Sequence, residues 1–105
     1  MKLNMYCIFD QATGAYMRPI FFQSDGQAAR LFQDLAMDAE HEIGRHPEDY
    51  SLCRCGVWDD ADAQTTVEAV TTITTGLEAV ARGRNIDKRQ IDALEEKVNG
   101  ENGSG

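Results

Sequence analysis

The sequence predicts one α+β domain in which four strands and one helix follow the order β-β-α-β-β. Alternating apolar residues mark the strands, a 3.6-residue apolar stripe marks the helix, and 105 residues suit a single domain. The simplest arrangement is an antiparallel sheet with the helix across one face. We expect this domain over residues 1–75, a C-terminal helical extension over 76–98 and a disordered tail over 99–105.

The first two strands are predicted to form a hairpin. Residues 3–9 alternate between two faces, and the segment from Asp10 to Gly14 has turn-forming residues. The return strand then covers residues 15–22. Because Pro19 has no backbone N–H to donate, this strand lies at an edge of the sheet or is broken there.

The helix is predicted from an apolar stripe that recurs every three or four residues. Its members are Ala28, Leu31, Phe32, Leu35, Ala36 and Ala39. Ser24 or Asp25 can cap the N-terminus, and the helix is expected to end between His41 and Gly44. Further strands are predicted over 50–58 and from 64 to about 73, and helical segments over 77–81 and 87–98.

The charge and the cysteine pattern narrow the class of protein. A formal net charge of −8 opposes general duplex binding, which relies on Lys and Arg neutralising phosphates. Three cysteines, two of them at Cys53 and Cys55, are typical of reduced cytoplasmic thiols rather than a disulfide framework. The apolar runs are too short for a membrane span, and the N-terminus lacks a secretory signal pattern. We therefore expect a cytoplasmic protein that does not enter membranes.

The sequence contains no recognisable catalytic or cofactor-binding motif. The cysteines are Cys7, Cys53 and Cys55, and the histidines are His41 and His46. Only the histidine spacing comes close to the paired spacings of a zinc site, and small buried core thiols are the favoured interpretation of the cysteines. The acidic pairs stand in turn contexts, and neither a phosphate-binding loop nor a dinucleotide fingerprint is present. We expect a protein that acts by binding, without enzyme activity, metal or cofactor.

Two groups of residues are candidates for contact with nucleic acid. If the helix covers the face of Leu3, Met5, Cys7 and Phe9, the opposite face carries Tyr6, Tyr16, Arg18, Arg54 and Trp58. A basic cluster further on consists of Arg82, Arg84, Lys88 and Arg89. Rings that stack on bases beside cations that meet phosphates bind single-stranded nucleic acid. A homodimer interface is the favoured alternative for the aromatic face, and packing under the C-terminal helix is another; a solvated helix face is the favoured interpretation of the basic cluster.

Two stretches carry a resemblance to a known family. They are Glu42–Leu52, which contains His-Pro-Glu-Asp-Tyr, and Gly56–Asp60, and the opening Met1–Tyr6 fits with them, as do Thr13-Gly14 and Arg18-Pro19. In order and spacing they resemble the small nonstructural protein of gokushovirus-type microviruses, which are tailless phages with circular single-stranded DNA genomes. The resemblance covers residues 1–75, and nothing after Gly76 adds to it.

The resemblance implies a nonstructural accessory protein of genome replication in the host cytoplasm. The analogy is with the protein that switches related microviruses from duplex replication to single-strand synthesis and packaging. We therefore expect a homodimer that binds single-stranded DNA or a host or phage replication protein. One alternative is an acidic adaptor or inhibitor that docks on a basic host or phage protein or imitates DNA. Another is a helper of particle assembly.

Overall fold

The computed structural model describes residues 1–85 and 88–103. The strands are β1 Lys2–Asp10, β2 Ala15–Tyr16, β3 Ile20–Phe22, β4 Tyr50–Asp59 and β5 Gln64–Thr75. The helices are α1 Asp25–Ala36, α2 Glu42–Arg45, α3 Gly76–Gly83 and α4 Lys88–Gly103, with a 3-10 turn over Pro47–Asp49. The predicted α+β class with an antiparallel sheet is confirmed.

The sheet places the N-terminal strand in its interior. β1 pairs antiparallel with β4 on one side and with both β2 and β3 on the other, and β5 pairs with β4. The predicted return strand is therefore split into two short edge strands around residues 17–19, as Pro19 requires. The N–H of Met17 still donates to the carbonyl of Ile8 at 2.8 Å, which keeps the connecting segment beside β1.

Helix α1 begins as predicted and ends earlier. The Ser24 hydroxyl accepts a hydrogen bond from the N–H of Gln27 at 3.3 Å, which satisfies one of the free donors of the first turn. The helix ends at Ala36 rather than between His41 and Gly44, and α2 then forms separately. Gly44 lies so close to the backbone of Asp38 that a Cβ there would overlap its carbonyl oxygen. This close fold-back of the chain is incompatible with one continuous helix.

The core lies between the helices and one face of the sheet. Its main members are Tyr6, Ile8, Ala28, Phe32, Ala36, Ile43, Tyr50, Leu52, Ala79 and Val80. The helices therefore cover the Tyr6 and Ile8 face of β1, and our expectation that they cover the face of Leu3 was wrong. The Tyr6 hydroxyl donates to a carboxylate oxygen of Asp25 at 2.7 Å, so this polar tip finds its partner at the start of α1.

The C-terminal part consists of two helices. Thr75 and Glu78 form a reciprocal capping box at the start of α3, and α3 packs on α1. Helix α4 packs on α3, with Ile91 buried. It extends to Gly103 and so includes most of the segment 99–105 for which we expected disorder, while residues 104 and 105 lie outside the described residues. Within the described part of the chain, no helix is both long and apolar enough to cross a membrane.

Candidate binding face on the open side of the sheet

The side of the sheet that points away from α1 and α3 is here called the open face. Cross-strand partners share a face, so the register identifies its members. They are Leu3 with Trp58, Met5 with Gly56 and Phe21, Cys7 with Cys53, and Phe9 with Tyr16, together with Thr65, Val67 and Thr72 of β5. Helix α4 approaches the sheet at its Ser51 and Thr75 end, where Glu95 and Val98 line a small cleft together with these two residues.

Two aromatic pairs stand at different levels of the open face. The rings of Phe9 and Tyr16 lie 4.8 Å apart, and those of Phe21 and Trp58 lie 5.8 Å apart, both at tilted angles. Tyr16 is 52 % exposed and Phe21 is 42 % exposed, although a ring of this size is usually placed in a core. Both pairs therefore offer apolar ring surface to a binding partner.

A β-bulge at Cys55 determines which side chains join the open face. Met5 pairs with Gly56 but Tyr6 pairs with Arg54, so Cys55 is an extra residue in β4. One extra residue reverses the facing of everything after it, and Arg54 and Trp58 consequently lie on opposite sides of the sheet. Our expectation that they share a face was wrong for this reason.

The open face is uncharged, and the cation of β4, Arg54, forms its ion pairs on the helix side of the sheet. Among the described strand residues, the register places no Lys, Arg, Asp or Glu on the open face. Arg54 points to the helix side, where its Nε lies 3.1 Å from Glu68 and its Nη1 lies 3.6 Å from Asp25. Burial and the hydrogen bond to Asp25 raise the pKa of Tyr6 to about 12, so this phenol stays neutral.

The predicted contact residues are divided by the sheet. Tyr16 and Trp58 lie on the open face, and Arg18 is exposed in the segment between β2 and β3. Tyr6 and Arg54 lie on the helix side, so the expected set of five does not form one surface. Phe9, Phe21 and Val67 were missed, although the alternation from Leu3 to Phe9 already indicated a second apolar face.

The basic cluster belongs to the helical layer. Arg82 lies on α3 and donates from Nη2 to the hydroxyl of Thr74 at 2.7 Å. Arg84 and Arg89 are exposed near the junction of α3 and α4, and Lys88 is the first residue of α4. Because α3 packs against the helix side, at least Arg82 points away from the open face. Arg82 and the aromatic pairs therefore lie on different sides of the sheet.

The potential ligand atoms for metals lie in two places. The thiols of Cys7 and Cys55 interact, and burial followed by this contact raises the pKa of Cys7 to about 12, which keeps it protonated. At the 3-10 turn, ligand atoms of His46, Glu48 and Asp49 lie within 4.8 Å of one another and could hold a cation. Sequence spacing did not reveal this second group, because the turn geometry brings its members together.

Comparison with known proteins identifies one family. The family model described as phage ORF5 protein matches residues 3–79, which include every strand of the sheet and the start of α3. A search of curated proteins and a search of solved structures each gave no match. The matched segment contains the whole open face and excludes α4.

Proposed function

Because this chain belongs to the phage ORF5 protein family, we propose that it is a phage accessory protein of genome replication that binds single-stranded DNA on the open face. The observation that carries the proposal is the two aromatic pairs, each with one exposed ring, on the sheet face that points away from α1 and α3. A nonstructural protein of a microvirus would meet such DNA as the product of replication.

The arrangement follows a known physical strategy for binding single strands. A sheet with helices on one side and aromatic rings on the other stacks unpaired bases, as in RNA-recognition domains. Stacking is tolerant of sequence, because every base has a π-face. A duplex hides those faces between its base pairs. The open face should therefore prefer single-stranded over double-stranded DNA.

The net negative charge of the chain limits the electrostatic contribution to its affinity for single-stranded DNA. The chain has a net charge of −8, and Arg18 is the exposed cation in the segment beside the aromatic pairs. No acid shares the open face within the described strands, so the repulsion acts only from a distance, where salt screens it. We expect binding that depends mainly on stacking and that falls only moderately between low and physiological salt.

Fluorescence anisotropy with a labelled single-stranded oligonucleotide tests the proposal. Phe21→Ala should weaken binding by about tenfold or more, since stacking on one aromatic contributes about 1–3 kcal/mol. Leu94→Ala is the matched control, because Leu94 is similarly exposed but lies on α4. Equal affinity of wild type and Phe21→Ala, or equal affinity for single strand and duplex, would rule out the stacking face.

A homodimer would compete with DNA if it used the same surface. Exposed aromatic and aliphatic side chains also suit an interface between two copies. Sedimentation velocity with and without oligonucleotide separates the cases. A dimer that persists when DNA is bound uses another surface, whereas a dimer that dissociates on adding DNA buries the open face.

An acidic adaptor is the second candidate, and one local observation favours it. Asp10, Glu48 and Asp49 place three carboxylates at this end of the sheet; burial first, and then Glu48 and Asp10, raise the pKa of Asp49, while His46 lowers it. A basic protein surface would relieve that repulsion. Salt-sensitive capture of a basic phage or host protein that is lost in the double variant Glu48→Gln and Asp49→Asn would support this role, and capture that is unchanged in the double variant would contradict it.

A further inference from the structure

The spacing of the two aromatic pairs deepens the proposed function, on which the following inference rests. One pair stands at Phe9 and Tyr16, and the other stands where Phe21 and Trp58 meet β1 at Met5 and Leu3. Four to six residues of β1 separate the two levels. At about 3.3 Å per residue, the pairs are roughly 13–20 Å apart along the strand.

The floor between the two pairs is apolar. Cys7 and Cys53 form the cross-strand pair in this stretch, and both are buried. The Met5 side chain lies over Gly56, since a Cβ at Gly56 would come within 2.9 Å of the Met5 Cε. No ring stands between the two pairs among the described residues of the face. Bases can therefore stack at two separate places, but not continuously between them.

Arg18 lies beside the gap between the pairs. It belongs to residues 17–19, which connect Tyr16 of the first pair to the strand of Phe21, and Met17 anchors this segment to Ile8. Arg18 is exposed, and none of the ion pairs found in the described part of the chain uses its guanidinium. A free guanidinium at this position can bind a phosphate of a strand that runs from one pair to the other.

We infer that the open face has two base-stacking subsites, Phe9/Tyr16 and Phe21/Trp58, and that Arg18 binds a phosphate of the nucleotides that bridge them. A stacked strand rises about 3.4 Å per nucleotide, so about four to six nucleotides reach from one subsite to the other. Shorter oligonucleotides occupy one subsite at a time. A longer oligonucleotide that is bound at one subsite can also contact the second. This second contact is intramolecular and therefore raises the affinity.

Oligodeoxyadenylates of about 3, 8 and 16 nucleotides, whose bases stack on one another, test the two-subsite arrangement with the full chain. We expect the affinity to rise about tenfold or more from 3 to 8 nucleotides and to change little from 8 to 16. Tyr16→Ala and Phe21→Ala should each remove the step and leave the 8-mer at the level of the 3-mer. Circular dichroism of each variant checks that the fold is intact.

The salt dependence of binding tests the role of Arg18. Arg18→Ala should lower the slope of log affinity against log salt for the 8-mer by about 1, and Arg18→Lys should restore most of it. Arg30→Ala is the matched control, because Arg30 is an exposed arginine on α1, on the other side of the sheet. A salt slope that is the same in Arg18→Ala and wild type would overturn the phosphate contact.

The length series also separates the two proposals. If the 16-mer binds and affinity rises smoothly without a step, the two-subsite arrangement is wrong while single-strand binding stands. If no oligonucleotide of any length binds at low salt, the proposed function and this inference are both wrong.

Discussion

Tyr6 shows how one polar atom selects the face of a strand. Both faces of β1 are apolar, with Leu3 and Met5 on one and Tyr6 and Ile8 on the other. Hydrophobic alternation predicts the strand but cannot choose between two apolar faces. A buried phenol needs a hydrogen-bond partner, and Asp25 at the start of α1 supplies one at 2.7 Å. That contact links two segments distant in sequence and could not be read from residue spacing.

The raised pKa of Tyr6 predicts a loss of stability at alkaline pH. Its ordinary value is 10.0 and its value in the fold is about 12, so the folded state holds this proton more tightly than the unfolded state. The contribution to the free energy of unfolding is complete below pH 10 and disappears as pH rises through 12. Urea denaturation across this range should show a smaller alkaline loss in Tyr6→Phe than in wild type. An identical loss would assign the effect to other groups, such as Cys7 and Tyr50, whose pKa values are also raised.

Glycine positions predict opposite effects of the same substitution. A Cβ at Gly76 would overlap the carbonyl oxygen of Pro47, so Gly76→Ala must displace backbone and should lower the free energy of unfolding by more than about 1 kcal/mol. At Gly26, in the first turn of α1, the nearest atom to a new Cβ is the Ser24 hydroxyl at 3.9 Å. Gly26→Ala should therefore leave stability unchanged or raise it by up to about 1 kcal/mol. Chemical denaturation of both variants checks the contrast, and equal destabilisation would contradict it.

The β-bulge in β4 explains why the sequence predicted only part of the open face. The sequence predicted β4 correctly within one residue, and a regular strand would put Arg54 and Trp58 on one face. The extra residue at Cys55 reverses this, and its S–H donates to the carbonyl of Met5 at 3.5 Å. A bulge arises from pairing with a distant strand, so the local pattern of β4 does not reveal it.

Helix α3 depends on its capping box, which predicts the effect of losing the Thr75 hydroxyl. This oxygen accepts from the N–H of Glu78 at 3.1 Å, and the Glu78 carboxylate accepts from the N–H of Thr75 at 2.9 Å. Thr75→Val keeps the β-branched shape and removes the hydrogen-bond acceptor. It should therefore lower the free energy of unfolding, measured by urea denaturation, by about 1 kcal/mol. Thr65→Val is the control, because Thr65 is an exposed residue of the same strand. If Thr75→Val lowers the free energy of unfolding no more than Thr65→Val does, α3 does not need this cap.

Charge and apolar surface are separated across the whole molecule. The net charge of −8 is carried by turns, helices and the helix side of the sheet, while the open face is uncharged in the described strands. Composition alone predicted an acidic protein and argued against general binding of duplex DNA. In the proposed binding mode, bases would stack on a face where the described strands place no acid, and repulsion from the rest of the molecule would weaken with distance and salt.

The family match and the packing together predict that the chain is functional without α4. The match ends at residue 79, and α4 contacts mainly α3, where Ile91 is its buried residue. A chain ending at Asn85 keeps the sheet, α1, α3 and the whole open face. We expect it to unfold cooperatively at a lower temperature than the full chain, because it loses the burial of Ile91, and to bind single-stranded oligonucleotides with unchanged affinity. Calorimetry and anisotropy measure the two effects. Loss of cooperative unfolding would make α4 part of the core, and loss of binding in a folded chain would place the DNA site at the junction of α3 and α4, where Arg84 and Arg89 lie.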